Sequence, residues 1–112
     1  MKASVAIAGL VVAVFGGASR LSAQQAAETP AQLYGRTCAA CHGVAGVPAP
    51  AMATSMGIPN FTDAHGVAAK PDSVLQNSVR AGKAKMPAYG SRLSADQIRG
   101  LVTYIKTLSH RS

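Results

Sequence analysis

The only two cysteines of this chain stand three positions apart, in Cys38-Ala39-Ala40-Cys41-His42. No other segment narrows the possible folds as far. Two thiols on one helical turn can add to the two vinyl groups along one porphyrin edge, and the next imidazole then projects over the ring face towards iron. Cys-x-x-Cys-His at Cys38, Cys41 and His42 therefore reads as an attachment site for c-type haem. Three other chemistries compete for the pair. A thioredoxin-like dithiol belongs in a βαβ unit, and strand-like alternation occurs nowhere here. A zinc site needs further ligands at short spacing, and the remaining imidazoles, His65 and His110, pair closely with no other Cys or His. A Cys38–Cys41 disulfide suits an exported chain but closes too small a loop to stabilise much.

Export is the reading of the N-terminus. Lys2 precedes an apolar run from Ala3 to Gly17, and small residues follow through Ala18, Ser22 and Ala23. That order is the pattern of a secretory signal peptide. The run is shorter than the roughly 20 residues that span a bilayer comfortably, so an uncleaved anchor is the competing reading. Residues 1–23 are expected to be the signal, cleaved after Ala23 with Ala18 as the alternative point, and 24–112 a single domain. No Cys sits at the junction to carry a lipid. An oxidising compartment would not preserve a free Cys pair, whereas thioether bonds to haem account for both thiols.

The charge of the whole chain is +7, eleven basic residues against four acidic. Such a balance suggests an anionic partner, nucleic acid included. Lys2 and Arg20 fall in the leader, so a chain starting at Gln24 keeps nine basic residues and a net charge of +5. Two haem propionates would lower it further, and the suggestion of nucleic acid shrinks to a local basic rim. The 48% hydrophobic content and two cysteines exclude a disordered acidic tail and a disulfide scaffold. Beyond the leader the rings are Tyr34, Phe61, Tyr89 and Tyr104. A domain this size is marginal on apolar burial alone, so a macrocycle at the centre would supply what the side chains lack.

The elements read as all-α, three or four short helices. Thr29-Pro30 opens the first, with Leu33 and Tyr34 buried and an end near Ala39. The Gly/Pro/Ala-rich stretch 43–60 reads as ordered loop, with a turn of helix near Ala51–Ser55. Pro71-Asp72-Ser73 opens another helix, with Val74, Leu75, Ser78 and Val79 on one face and a stop at Gly82. Ser94-Ala95-Asp96-Gln97 is a capping box. It leads a stripe of Ile98, Leu101, Val102, Ile105 and Leu108 at helical spacing.

Iron held by His42 has one axial position left. The candidates are Met52, Met56, Met86, His65 and His110. Met86 fits best, in a loop between two helices where Pro87 stiffens the backbone. A Met/His pair raises the reduction potential relative to His/His, and a filled sixth position leaves no room for substrate.

Cys-Ala-Ala-Cys-His-Gly, Met-Pro-Ala-Tyr and Leu-Ser-Ala-Asp-Gln-Ile, with the Leu-Val-Thr-Tyr-Ile-Lys-Thr-Leu that closes the last helix, together resemble a small bacterial class I cytochrome c over about residues 30–109. The resemblance implies one covalently attached haem c on Cys38 and Cys41, with His42 and Met86 as axial ligands of the iron. It implies crossed N- and C-terminal helices, with Tyr34 on the first and Leu101, Tyr104 and Ile105 on the last. The function it implies is one-electron transfer by a diffusible periplasmic protein that is not an enzyme, its redox partners docking weakly at the haem edge. Alternatives are an electron-transfer subunit of a larger dehydrogenase or oxidase, or a haem sensor or enzyme with an open distal site. Arg80, Lys83, Lys85 and Arg92 surround the Met loop and could steer acidic partners. One departure stands out: the family often has Gly eight residues before the first haem Cys, and here that residue is Pro30. A wider crossing or a later helix start is expected. The family also presents a proline carbonyl to the proximal imidazole N–H; Pro48, Pro50 and Pro59 are candidates, with Pro50 favoured.

Overall fold

The computed structural model describes residues 2–13 and 28–111. Residues 2–13 form no helix and are exposed, and both expected cleavage points lie outside the described residues. Among the described residues no helix is long and apolar enough to cross a membrane.

Helix α1 runs Pro30–Thr37. The Thr29 hydroxyl accepts from the Gln32 N–H at 3.2 Å, and the Gln32 side chain accepts from the Thr29 N–H at 2.9 Å. Two N–H groups that would otherwise lack partners are thereby satisfied, and Pro30 occupies the one position where a missing N–H does no harm. The helix breaks at Cys38, and a single turn, α2 (Ala39–His42), carries the rest of the motif. Helix α3 spans Pro50–Met56, slightly longer than the expected turn, and ends at Gly57 in the left-handed region, φ 65°. After a 3₁₀ turn at Val67–Ala69 come α4 (Asp72–Ala81), stopped at Gly82, and α5 (Ala95–Leu108), opened by the expected Ser94–Gln97 capping box. The fold is all-α. Its α-helices exceed the expected three or four because the motif splits the first helix and the proline-rich loop winds one of its own.

Helix α5 packs against both α1 and α4. Every residue of its expected stripe is buried, with Leu101 and Val102 fully inaccessible. Burying side chains of this kind contributes about 1.5–3 kcal/mol each. Leu33 and Tyr34 from α1, Val79 from α4 and Phe61 from the long loop cluster with Ile98, Leu101, Ile105 and Leu108, and Leu75 of α4 is buried as well. Val74 departs from expectation and is 47% exposed. Leu75 and Val79 share a face as an i, i+4 pair, and Val74 points about 100° away from Leu75 around the helix.

Pro30 does not delay the helix, which starts at that residue. A Cβ built on Gly100 of α5 would lie 3.1 Å from Pro30 Cγ. The Pro30 ring thus occupies the space that a side chain at residue 100 would need.

Candidate functional site

A cavity of about 340 Å³ gathers residues from most of the fold. Thr37, Cys38, Cys41 and His42 line it from the motif, Met56, Pro59 and Phe61 from α3 and the loop after it, Val79 from α4, Met86 and Tyr89 from the next loop, and Val102 and Ile105 from α5. Both thiols are free, Cys41 exposed and Cys38 half-buried. Burial, reinforced by the neighbouring Cys41 charge, pushes the Cys38 thiol up to about 11. Among the described residues no group of His, Cys, Asp and Glu could hold a metal ion as zinc would require.

His42 ends α2. Burial lowers its pKa and favours the neutral imidazole, the form with a lone pair for a metal. The ring lies nearly parallel to Phe61, centroids 4.5 Å apart and planes 14° apart. Its Nδ1 is buried with no hydrogen-bond partner among the described residues. The bond expected from Pro50 is therefore not made. Pro50 is the first residue of α3, and its carbonyl accepts from the Thr54 hydroxyl inside that helix. Of the three prolines considered, only Pro59 shares the cavity with His42.

The turn that follows His42 is fixed tightly. Gly43 has φ 82°, and a Cβ there would fall 2.0 Å from the Val47 carbonyl oxygen. The Gly43 carbonyl accepts from the Tyr34 hydroxyl at 2.7 Å and from the Gly46 N–H at 3.1 Å. The Gly46 carbonyl in turn accepts from the Phe61 N–H at 2.8 Å. Tyr34, only 1% exposed, is thus tied through the turn to the ring beside His42.

Met86 closes a tight turn with Lys83: the Met86 N–H donates to the Lys83 carbonyl at 2.9 Å, and the Lys83 N–H donates to the Met86 carbonyl at 3.2 Å. Ala84 adopts φ 52° within it. Bonds from Tyr89 N–H to the Val79 carbonyl (2.9 Å) and from Gly90 N–H to the Arg80 carbonyl (3.0 Å) fasten the far end of the loop to α4. Lys85 Nζ reaches the Ser55 carbonyl at 3.2 Å, linking the loop to α3. Of the expected candidates for a sixth ligand, Met86 and Met56 line the cavity; Met52 does not, and His65 and His110 are exposed away from it.

The donor set fits an iron porphyrin. Two thiols, one neutral imidazole and two thioethers converge on a mostly apolar cavity, and the lining residue Thr37 keeps a buried hydroxyl with no partner among the described residues.

The lining is unevenly charged. From Thr37 to Thr62 no residue is Lys, Arg, Asp or Glu. Lys70, Lys83 and Lys85 line the cavity, and no acidic residue does. Among the described residues the salt bridges join Arg36 to Glu28, Arg99 to Asp96 and Lys106 to Asp72, leaving these three lysines, Arg80 and Arg92 without an acidic partner. Arg92 instead lies over the Tyr89 ring, 4.5 Å from its centroid. Sequence reasoning missed Lys70 on this rim and the Phe61–His42 contact; a Gly-rich loop returning to the motif was the available signal for the latter.

The family model described as "Cytochrome C oxidase, cbb3-type, subunit III" matches residues 25–105. No curated protein matches significantly. Among solved structures the chain is similar to the KustC0563 c-type cytochrome: TM-score 0.66, 24% identity, with 72% of this chain and 98% of that one covered.

Proposed function

Since this chain belongs to the family described as cytochrome c oxidase, cbb3-type, subunit III, we propose that it works as a one-electron carrier of the periplasm with a single haem c under His/Met ligation. It is a small c-type cytochrome with the class I all-α fold, and its family serves haem-based electron transfer. The finer reading rests on one observation: a single cavity is lined by both motif cysteines, His42 and Met86. When bound, the haem supplies a one-electron couple between ferric and ferrous iron. The chain's own residues do the rest. Cys38 and Cys41 hold the group by thioether bonds, and His42 presents a neutral imidazole from the end of α2. Met86 presents a thioether from a turn pinned to α4 and α3, so neither donor has far to move between oxidation states. Leu75, Val79, Val102 and Ile105 keep water from the interior side. Lys70, Lys83 and Lys85 form a rim suited to an acidic partner surface.

The ligand assignment is tested in the ferric spectrum, where a weak far-red band marks methionine on iron. Met86→Ala should abolish it and Met56→Ala should leave it; the reverse result moves the ligand to Met56. Intact mass should show one haem on a chain beginning at Gln24 if the leader is cleaved as expected. The family description also favours a second reading, a subunit held in a larger oxidase. Recovery with an oxidase from solubilised membranes, rather than free in the periplasmic extract, would decide for it.

A further inference from the structure

We infer that Phe61 is a positioning residue for His42: its ring face fixes the plane of the imidazole. The inference rests on the reading of His42 as an axial ligand. An imidazole on iron keeps one rotational freedom, about the bond to the metal. Two things can remove it, a hydrogen bond at the distant ring nitrogen or a surface against the ring face. In this protein His42 Nδ1 has no hydrogen-bond partner among the described residues, whereas the Phe61 ring lies 4.5 Å away at 14°. Offset stacking at this separation is attractive, and turning the imidazole out of plane would drive its edge into Phe61.

Phe61 is itself unable to drift. It is 6% exposed, and its N–H is bonded to the Gly46 carbonyl. The loop passes so close that a Cβ on Gly46 would lie 3.0 Å from Phe61 Cβ and 2.9 Å from Leu108 Cδ1. Gly46 has φ 81°, a conformation that favours glycine. The loop between the motif and α3 therefore carries the backbone round so that residue 61 returns to residue 42.

The test uses the holoprotein. In the ferric state the four haem ring-methyl proton shifts follow the orientation of the axial imidazole plane, because that plane selects the porphyrin orbital bearing unpaired spin. Phe61→Leu keeps an apolar side chain and removes the flat face; it should change the order or spread of the four methyl shifts. Ile98→Ala, a core truncation at a buried residue that does not line the cavity, should lower stability while retaining the wild-type methyl order. A wild-type order in Phe61→Leu overturns the inference. If Phe61→Leu does not accumulate, the ferrous wild-type protein serves: cross-relaxation between Phe61 ring protons and His42 imidazole protons supports the stack, and its absence overturns it. A spectrum showing that His42 does not ligate iron would instead sink the axial reading, which is a separate failure.

Discussion

Tyr34→Phe probes the link between α1 and the turn after His42. The substitution deletes one atom, the hydroxyl that donates to the Gly43 carbonyl at 2.7 Å. That carbonyl keeps its bond from the Gly46 N–H, so it is not left bare and the larger penalty for an unsatisfied buried acceptor does not apply. The loss should be that of one ordinary hydrogen bond, about 1 kcal/mol at pH 7, or about 4–8 °C in Tm for a domain of this size. High pH adds a second signature. Burial, the largest cause, with a smaller contribution from the Tyr104 phenol, holds the Tyr34 phenol well above its ordinary range. The unfolded chain loses this proton near pH 10 while the folded chain retains it, so the folded state binds more protons and its stability falls as pH rises. By pH 11 that amounts to about 1.4 kcal/mol. The variant has no such group, and every other titration is common to both proteins. The variant should therefore be the less stable protein at pH 7, and the two stabilities should cross at about pH 10.5–11. Urea unfolding of both ferrous holoproteins at a series of pH values measures the difference. A difference that stays constant from pH 7 to 11 would refute the reasoning.

Two glycines should respond oppositely to alanine in a thermal melt. Gly35 has open space where a Cβ would go, so Gly35→Ala should gain about 0.5–1 kcal/mol, while Gly100→Ala meets Pro30 and should lose about 1 kcal/mol net. Replacing Lys83 and Lys85 together by Glu should slow electron exchange with an acidic partner and flatten or invert its dependence on salt, as stopped-flow rates would show. A chain with Cys38→Ser and Cys41→Ser, unable to retain haem covalently, faces a cavity of about 340 Å³. At roughly 24 cal/mol per Å³ the ceiling on that penalty is about 8 kcal/mol, the size of a small domain's whole stability. Its melt followed by circular dichroism should lack a cooperative transition.

What can be read from the sequence is local or periodic. Ser94 and Gln97 are three apart, Cys38 to His42 span one turn, and the α5 stripe repeats with the helix, so spacing alone carries them. That Met86 lines the cavity is legible from its place beside a proline in a loop between two helices, although its side chain also packs against the core. The face of α4 reads too broadly, since Val74 adjoins Leu75 in sequence but not in direction. Phe61 escapes because its role depends on the path of the loop from Gly43 to Asn60, and loop paths are set by backbone angles at Gly43, Gly46 and Gly57 that side-chain patterns do not encode. Pro50 misleads for a related reason: its carbonyl is committed to a helix whose full extent the sequence does not show.

The crossing of α1 and α5 shows that the missing side chain is a property of the contact and of neither helix separately. Pro30 of α1 fills the space that the missing side chain of Gly100 leaves on α5. The two positions act as a single volume with two occupants. Substitutions there should be non-additive: Pro30→Gly should rescue much of what Gly100→Ala loses.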